Sequence, residues 1–347
     1  MQNEWKLLEY IAPDLLDKMN QRFRILRNIY WLAPIGRRNL CEKVGLTERV
    51  LRGETDFLKE TGLITMNNSG MRLTEKGNEV YAELEKLLDS LFGMREIENR
   101  LAEHFGIQQA VVVAGDCDVQ EKILEEFGAN LSELLNDRLP TGENIIAVMG
   151  GSTIAKVAKN LTRLETDKRH NIFVPARGGI GEAVDVQANT VSAVMATKTH
   201  GTHRALYVPE QVKSDTYELL IQEPAIQEVL TLIRQSGCVI HSIGKAMYMA
   251  RRRKMSEETL RLLKEKKAVA ESFGYFFDEQ GLLVYKMHRI GLQLEQLEKI
   301  PLIFAIAGGK SKAKVINAYM KNAPKQTILI TDEACANEIL KGFAPLK

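Results

Sequence analysis

At 347 residues the chain is long for one domain and comfortable for two. An apolar share of 45% and a charged share of 27% are ordinary for a soluble globular protein, and no run approaches the roughly 20 apolar residues of a membrane span. The net charge of +2 says little by itself, but its distribution says more. Met1-Gln2-Asn3-Glu4-Trp5 lacks the basic-then-apolar layout of a signal peptide. Cys41, Cys117, Cys238 and Cys335 are far apart and form no metal-ligand spacing. Reduced thiols in a cytoplasmic protein are therefore expected.

The first helix is expected over 13–31, where Leu15, Leu16, Met19, Phe23, Leu26, Ile29 and Tyr30 recur mostly three and four apart. Pro34-Ile35-Gly36 breaks it. A short helix from Arg37 to Val44 ends at Gly45, and Thr47 can cap a second helix over 48–60. Short helix, glycine turn and capped helix make a helix-turn-helix. Leu63-Ile64-Thr65-Met66 and Met71-Arg72-Leu73-Thr74 flank an Asn67-Asn68-Ser69-Gly70 turn, which reads as a hairpin wing. The window from Lys18 to Arg52 holds nine basic residues against Glu42 and Glu48, a net of +7. Arg37, Arg38, Thr47, Arg49 and Arg52 are the expected DNA contacts, with Arg49 and Arg52 on the second helix of the motif, beside Glu48, Glu54 and Thr55. Arg22 is a candidate for a phosphate. A winged head used for protein contacts is the alternative.

Thr74 opens a helix in which Val80, Leu84, Leu87 and Leu91 repeat, and the pattern resumes after Gly93 as Met94, Ile97, Leu101 and Phe105. A long apolar stripe leaving a DNA-binding head is expected to dimerise the chain. The expected division is a winged helix-turn-helix domain with its linker over 1–92 and an effector domain over 93–347.

Beyond Ile107 buried strands and helices alternate. Strands are expected at 110–115, 145–149, 171–175, 204–208, 238–244, 303–308 and 327–330, with a hairpin pairing 275–277 with 281–289. One basic helical stretch is expected over 245–266. The pattern implies an α/β fold, a doubly wound parallel sheet whose ligand lies beyond the carboxyl ends of the strands.

Three glycine-rich stretches follow strands. In the first, Gly150-Gly151-Ser152-Thr153 opens a helix, the recipe for a phosphate cradle: close backbone approach, free helix N–H groups and two hydroxyls. In the second, Arg177 supplies a guanidinium fork, and Gly178 and Gly179 offer main-chain N–H groups. In the third, Gly308-Gly309 precedes Lys310-Ser311-Lys312, with either lysine as the cation. Arg252, within Arg251-Arg252-Arg253-Lys254, can close the crevice; Gln187 and Glu271 are candidates for sugar hydroxyls. Two cationic loops plus the cradle suggest a ligand with two anionic ends. No nucleophile–base pair or metal set is visible, and His200 and His203 read as marking a loop. No cofactor is expected, and the spacing matches neither dinucleotide nor Walker A loops.

The winged head together with Gly150-Gly151-Ser152-Thr153, Ala176-Arg177-Gly178-Gly179, Ala270-Glu271-Ser272-Phe273-Gly274-Tyr275 and Gly308-Gly309-Lys310-Ser311-Lys312-Ala313 resembles the SorC/DeoR-type sugar-responsive transcription regulators. Within them it is most similar to the branch governing glycolytic genes in Gram-positive bacteria, over essentially the whole length. The effector half is also similar to sugar-phosphate isomerase and glucosamine-phosphate deaminase folds, where a Gly-x-x-Lys-Ala loop holds a phosphate. Gly309-Lys310-Ser311-Lys312-Ala313 fits that loop if Lys312 is the ligand. The resemblance implies a repressor of glycolytic genes, binding operator DNA as a homodimer or homotetramer, with fructose-1,6-bisphosphate or a related sugar phosphate as inducer. An isomerase or deaminase carrying a regulatory head is the alternative; it would need an acid or base near the sugar carbonyl.

Overall fold

A computed structural model describes residues 13–67, 69–89, 94–165, 168–179, 183–209 and 214–341. The chain divides into two compact units, Met1–Glu96 and Ile97–Lys347.

In the first unit α1 (Pro13–Leu32) precedes α2 (Arg37–Val44) and α3 (Glu48–Glu60). Gly45 ends α2 at φ 69°, its N–H bonded to the Cys41 carbonyl, and the Thr47 hydroxyl accepts from Val50 N at 3.4 Å to start α3. β1 (Ile64–Asn67) and β2 (Gly70–Leu73) form the wing, and Ile35 adds a bridge to Met71. α1, α2, α3 and the wing close over Ile25, Leu26, Ile29, Leu40, Leu51, Leu58, Ile64 and Met71. Each fully buried side chain of this kind contributes about 1.5–3 kcal/mol.

α4 (Glu75–Asp89) follows the wing and joins this core. Tyr81 stacks on Phe23 and Tyr30, with ring centroids 5.5 and 4.7 Å away, and Leu84 is half-buried against the same cluster. The stripe read as a subunit seam therefore gives part of its apolar surface to its own head. The Leu87 side chain, Leu91 and Gly93 lie outside the described residues. α5 (Met94–Phe105) buries Leu101 and Phe105.

The second unit contains β3 (Gln109–Val113), α6 (Ile123–Arg138), β4 (Gly142–Val148), α7 (Ser152–Lys159), β5 (Arg169–Pro175), α8 (Ala188–Thr199) and β6 (Thr202–His203). Then come α9 (Ser214–Leu220), α10 (Pro224–Arg234), β7 (Cys238–His241), β8 (Gly244–Lys245), α11 (Ala246–Arg252), α12 (Glu257–Glu265), β9 (Ala270–Ser272), β10 (Tyr275–Phe277) and β11 (Leu283–Lys286). It ends with β12 (Leu302–Ile306), α13 (Ala313–Met320), β13 (Thr327–Asp332) and α14 (Glu333–Leu340). Seven parallel strands form one sheet in the order β3-β13-β12-β7-β4-β5-β6. β7, β12 and β13 are buried throughout, as expected for a parallel sheet covered on both faces. From β4 the chain winds outward through β5 and β6, then returns to β7 on the other side of β4. That reversal puts a crevice beyond the carboxyl ends of β4 and β7.

Three expectations need correction. The strand expected at 204–208 is two residues, Thr202–His203. Beyond it the Asn189 side chain takes both backbone groups of Leu206, so no strand ladder is needed there. The helix expected over 245–266 is two helices. Lys254 turns at φ 51°, and Ser256 caps α12 by accepting from Thr259 N at 3.2 Å. The hairpin of β10 and β11 is present but belongs to a four-stranded antiparallel sheet, β11-β10-β9-β8. With α11 and α12 this sheet encloses its own small core around Ala250, Met255, Leu263, Phe276 and Met287.

Candidate functional site

A cavity of about 320 Å³ lies at the crevice. Gly150, Gly151, Ser152 and Thr153 reach it from β4, Arg177 from β5, Gly244 and Lys245 from β8, which follows β7, and Ser311 and Lys312 from β12. Arg252 and Tyr248 of α11 and the Glu271–Phe273 segment of the small sheet complete its wall. Gly150 is held so close to the start of α8 that a Cβ there would lie 2.4 Å from the Val186 carbonyl oxygen. The first turn of α7, with Ser152 and Thr153, is thereby brought to the cavity. Their amides have no acceptor within the helix.

Of the eleven residues expected to bind an effector, the cavity brings together eight: Gly150, Gly151, Ser152, Thr153, Arg177, Arg252, Glu271 and Lys312. Gly178, Gly179 and Gln187 do not line it. Gly178 N donates to Ile290 O at 3.1 Å and Gly179 N to Val208 O at 3.2 Å, so these amides tie the loop to its neighbours rather than facing a ligand. Gln187 precedes α8, its side chain beside Gly179. Lys310 is exposed, 4.0 Å from Glu338, whereas Lys312 is at the cavity.

Among the described residues the wall carries five cationic side chains, Arg177, Lys245, Arg252, Arg253 and Lys312, against two carboxylates, Asp118 and Glu271. Arg177 is only 1% exposed. Burial lowers the Lys312 pKa from its ordinary value, with the charge of Lys245 acting the same way and that of Asp118 opposing it. Glu271, expected to meet a sugar hydroxyl, is buried and already engaged. One carboxylate oxygen is 3.2 Å from Arg253 Nη1 and the other accepts from Gly274 N at 2.8 Å. Phe273, between them, is fully buried at φ 54°, a conformation that surrounding structure must hold. The His241 ring packs against it at a tilt, centroids 4.8 Å apart, and burial lowers the His241 pKa to about 4.

Lys245, Tyr248 and Asp118 were missed in the sequence. For Lys245 and Asp118 the signal was position just past a buried strand; Tyr248 comes from the α11 insertion, which strand pattern does not announce. Among the described residues no group of His, Cys, Asp or Glu is placed to hold a metal ion.

In the first unit Arg38, Thr47, Arg49 and Arg52 are exposed and Arg37 is half-buried. Glu54 and Thr55, expected beside the arginines, are buried rather than exposed with them. Glu54 pairs with Lys18 and accepts from Arg22 Nε at 2.8 Å, and the Arg22 guanidinium covers the Phe57 ring at 3.7 Å. Arg22 is thus a brace between α1 and α3, and part of the +7 window is neutralised by a carboxylate just outside it.

Residues 18–88 match the family model for the CggR N-terminal DNA binding domain, and residues 89–341 match that of a sugar-binding domain. The chain is 44% identical over 335 residues to the central glycolytic genes regulator of Priestia megaterium, covering 96% of this chain and 97% of that protein. It is 43% identical over 331 residues to the protein of the same name from Bacillus subtilis, covering 95% and 96%. A solved structure described as a SorC family transcriptional regulator from Enterococcus faecalis is 66% identical, with a TM-score of 0.69 over 71% of this chain and all of that one. The full-length sorbitol operon regulator SorC from Klebsiella pneumoniae shares the fold, with a TM-score of 0.63 over 91% of this chain and 97% of that one, at 18% identity. The parallel sheet therefore serves a transcriptional regulator and not an enzyme. A DNA-binding head and a sugar-binding domain in one chain, matched end to end, place this protein in the central glycolytic genes regulator family of SorC-type transcriptional regulators.

Proposed function

We propose that this chain represses central glycolytic genes, and that fructose-1,6-bisphosphate or a closely related sugar bisphosphate, taken up in the cavity, loosens its hold on operator DNA. The observation that carries the reading is the excess, among the described residues of the cavity, of five cations over two carboxylates around the first turn of a helix. Buried cations and free helix amides favour a multiply charged anion. The Thr153 turn with Lys312, and Arg177 with Arg252, supply the two anion-binding loop systems. α3 with Arg49 and Arg52 enters the major groove, Arg37, Arg38 and Thr47 flank it, and the chain works in the cytoplasm as a homodimer or homotetramer.

A ligand shifts the DNA-bound equilibrium only by its differential affinity for the two states. The coupling, about 1–3 kcal/mol in typical cases, is reciprocal: operator DNA weakens the sugar bisphosphate by the same factor. Calorimetry with fructose-1,6-bisphosphate, alongside an operator titration, measures both sides. Thr153→Val and Arg177→Ala should lower sugar affinity while leaving sugar-free operator binding intact, giving repressors that do not release. Normal sugar binding in both variants would sink the site assignment. Sugar binding without change in operator affinity would defeat the mechanism. Sedimentation of the full chain reads the oligomer, and a monomer at working concentration would refute that part.

A further inference from the structure

The glycine–lysine loop after β12 looks like a phosphate cradle in sequence, yet each amide from Gly309 to Lys312 has an acceptor within the protein. Gly309 N donates to Asp332 Oδ2 at 2.5 Å, Lys310 N to Asp116 Oδ1 at 3.3 Å, Ser311 N to Asp118 Oδ2 at 2.7 Å, and Lys312 N to Gly309 O at 2.9 Å. Asp118 goes further. Its Oδ1 accepts the Ser311 hydroxyl at 3.1 Å, and that hydroxyl in turn accepts from Lys245 Nζ at 3.0 Å. Gly309, at φ 96°, leaves the space the carboxylate fills: a Cβ there would lie 2.5 Å from Asp118 Oδ1. Asp118 is itself fixed, its N–H bonded to Asp116 Oδ1 at 3.0 Å, and it lines the cavity together with Ser311 and Lys312.

A carboxylate thus takes donors that such a loop would present to a ligand anion, and it stands beside the cations that would receive one. We propose that Asp118 is an internal anion of the cavity, holding Ser311 and Lys245 in the ligand-free protein and competing with the ligand's phosphate at the Lys312 end. It sets the affinity for phosphorylated ligands downward. The inference rests on the reading that the cavity takes a phosphorylated sugar and names the residue that tunes it. A merely structural Asp118 predicts the opposite sign, because its loss would loosen Ser311 and weaken binding.

The test is calorimetry of the full-length chain with fructose-1,6-bisphosphate and, separately, with inorganic phosphate. Asp118→Asn keeps the shape and removes the charge. It should bind both probes about tenfold more tightly, the scale of removing one adjacent like charge. Asp118→Ser, neutral and smaller, carries the same expectation if the asparagine variant does not fold. Unchanged or weaker binding in a folded variant overturns the proposal. If wild type ignores the sugar bisphosphate while Asp118→Asn takes inorganic phosphate, the effector reading fails and the internal anion stands. If neither protein binds either probe, both fail.

Discussion

At the scale of single residues, the same side-chain type does different work according to what faces it. Arg52 is exposed on α3, whereas Arg22 is bonded to the buried Glu54 and stacked on Phe57. Arg52→Ala should therefore weaken operator binding by about 1–3 kcal/mol and relax specificity, as loss of a base contact does. A footprint titration reads it, and unchanged affinity would take α3 out of the groove. Arg22→Ala should act through stability, lowering it by about 1–3 kcal/mol because a buried carboxylate loses a charged partner. Urea unfolding of the head measures that loss, with Lys18 left as the remaining partner of Glu54. His241 gives a pH test. Burial depresses its folded pKa to about 4 from an ordinary 6.5. Between those values the unfolded chain binds more protons, so stability is full above pH 6.5 and falls as pH drops toward 4. Across the window the loss is on the order of 3 kcal/mol. His241→Gln should flatten this part of the stability profile; a difference between the two proteins that does not vary with pH would show that His241 does not titrate there.

At the scale of elements, loops and caps decide where the charged groups arrive. α7 presents its first turn to the cavity only because Gly150 passes against Val186. Gly150→Ala would force the loop away, so sugar-phosphate affinity should fall at least about tenfold while the head still binds operator DNA. Calorimetry and an operator titration on one preparation separate the two effects, and unaltered sugar affinity would mean that the turn is not a contact. Ser256 matters for a different reason. Its cap starts α12, and α11 and α12 share the small core that backs Arg252 and Arg253. Ser256→Ala should cost about 0.5–2 kcal/mol of stability, the usual value of a lost cap, read from a urea melt.

At the scale of the whole molecule, regulation needs two units that each fold and a bias that passes between them. The sugar-binding family model covers residues 89–341, and the similar Enterococcus faecalis structure spans 71% of this chain. A fragment of residues 97–347 should accordingly fold and keep its affinity for fructose-1,6-bisphosphate while losing operator binding. In the full chain, saturating operator should weaken the sugar by the same factor by which sugar weakens operator. Equal sugar affinities with and without operator would deny coupling, however tightly each ligand binds.

Local signals in the sequence determined the winged head and the parallel sheet. Gly45 and Thr47 stop and start helices by backbone rules that act within four residues, and buried strands such as 302–306 announce themselves as unbroken apolar runs. The glycine loops were legible for the same reason, since each follows a strand and the crevice of such a sheet lies beyond strand ends. Partnership was not legible, because it depends on atoms distant in the chain. Sequence showed Gly178 and Gly179 as available amides, but folding gives those amides to the carbonyls of Ile290 and Val208. It showed Glu271 as a free carboxylate and Arg22 as a free cation, but folding pairs them with Arg253 and Glu54. Asp118 follows a buried strand, but nothing local to it pointed to the loop nearly two hundred residues away whose amide it takes. A carboxylate's partners are set by charge and hydrogen bonding at about 3 Å, a distance that only the tertiary structure decides.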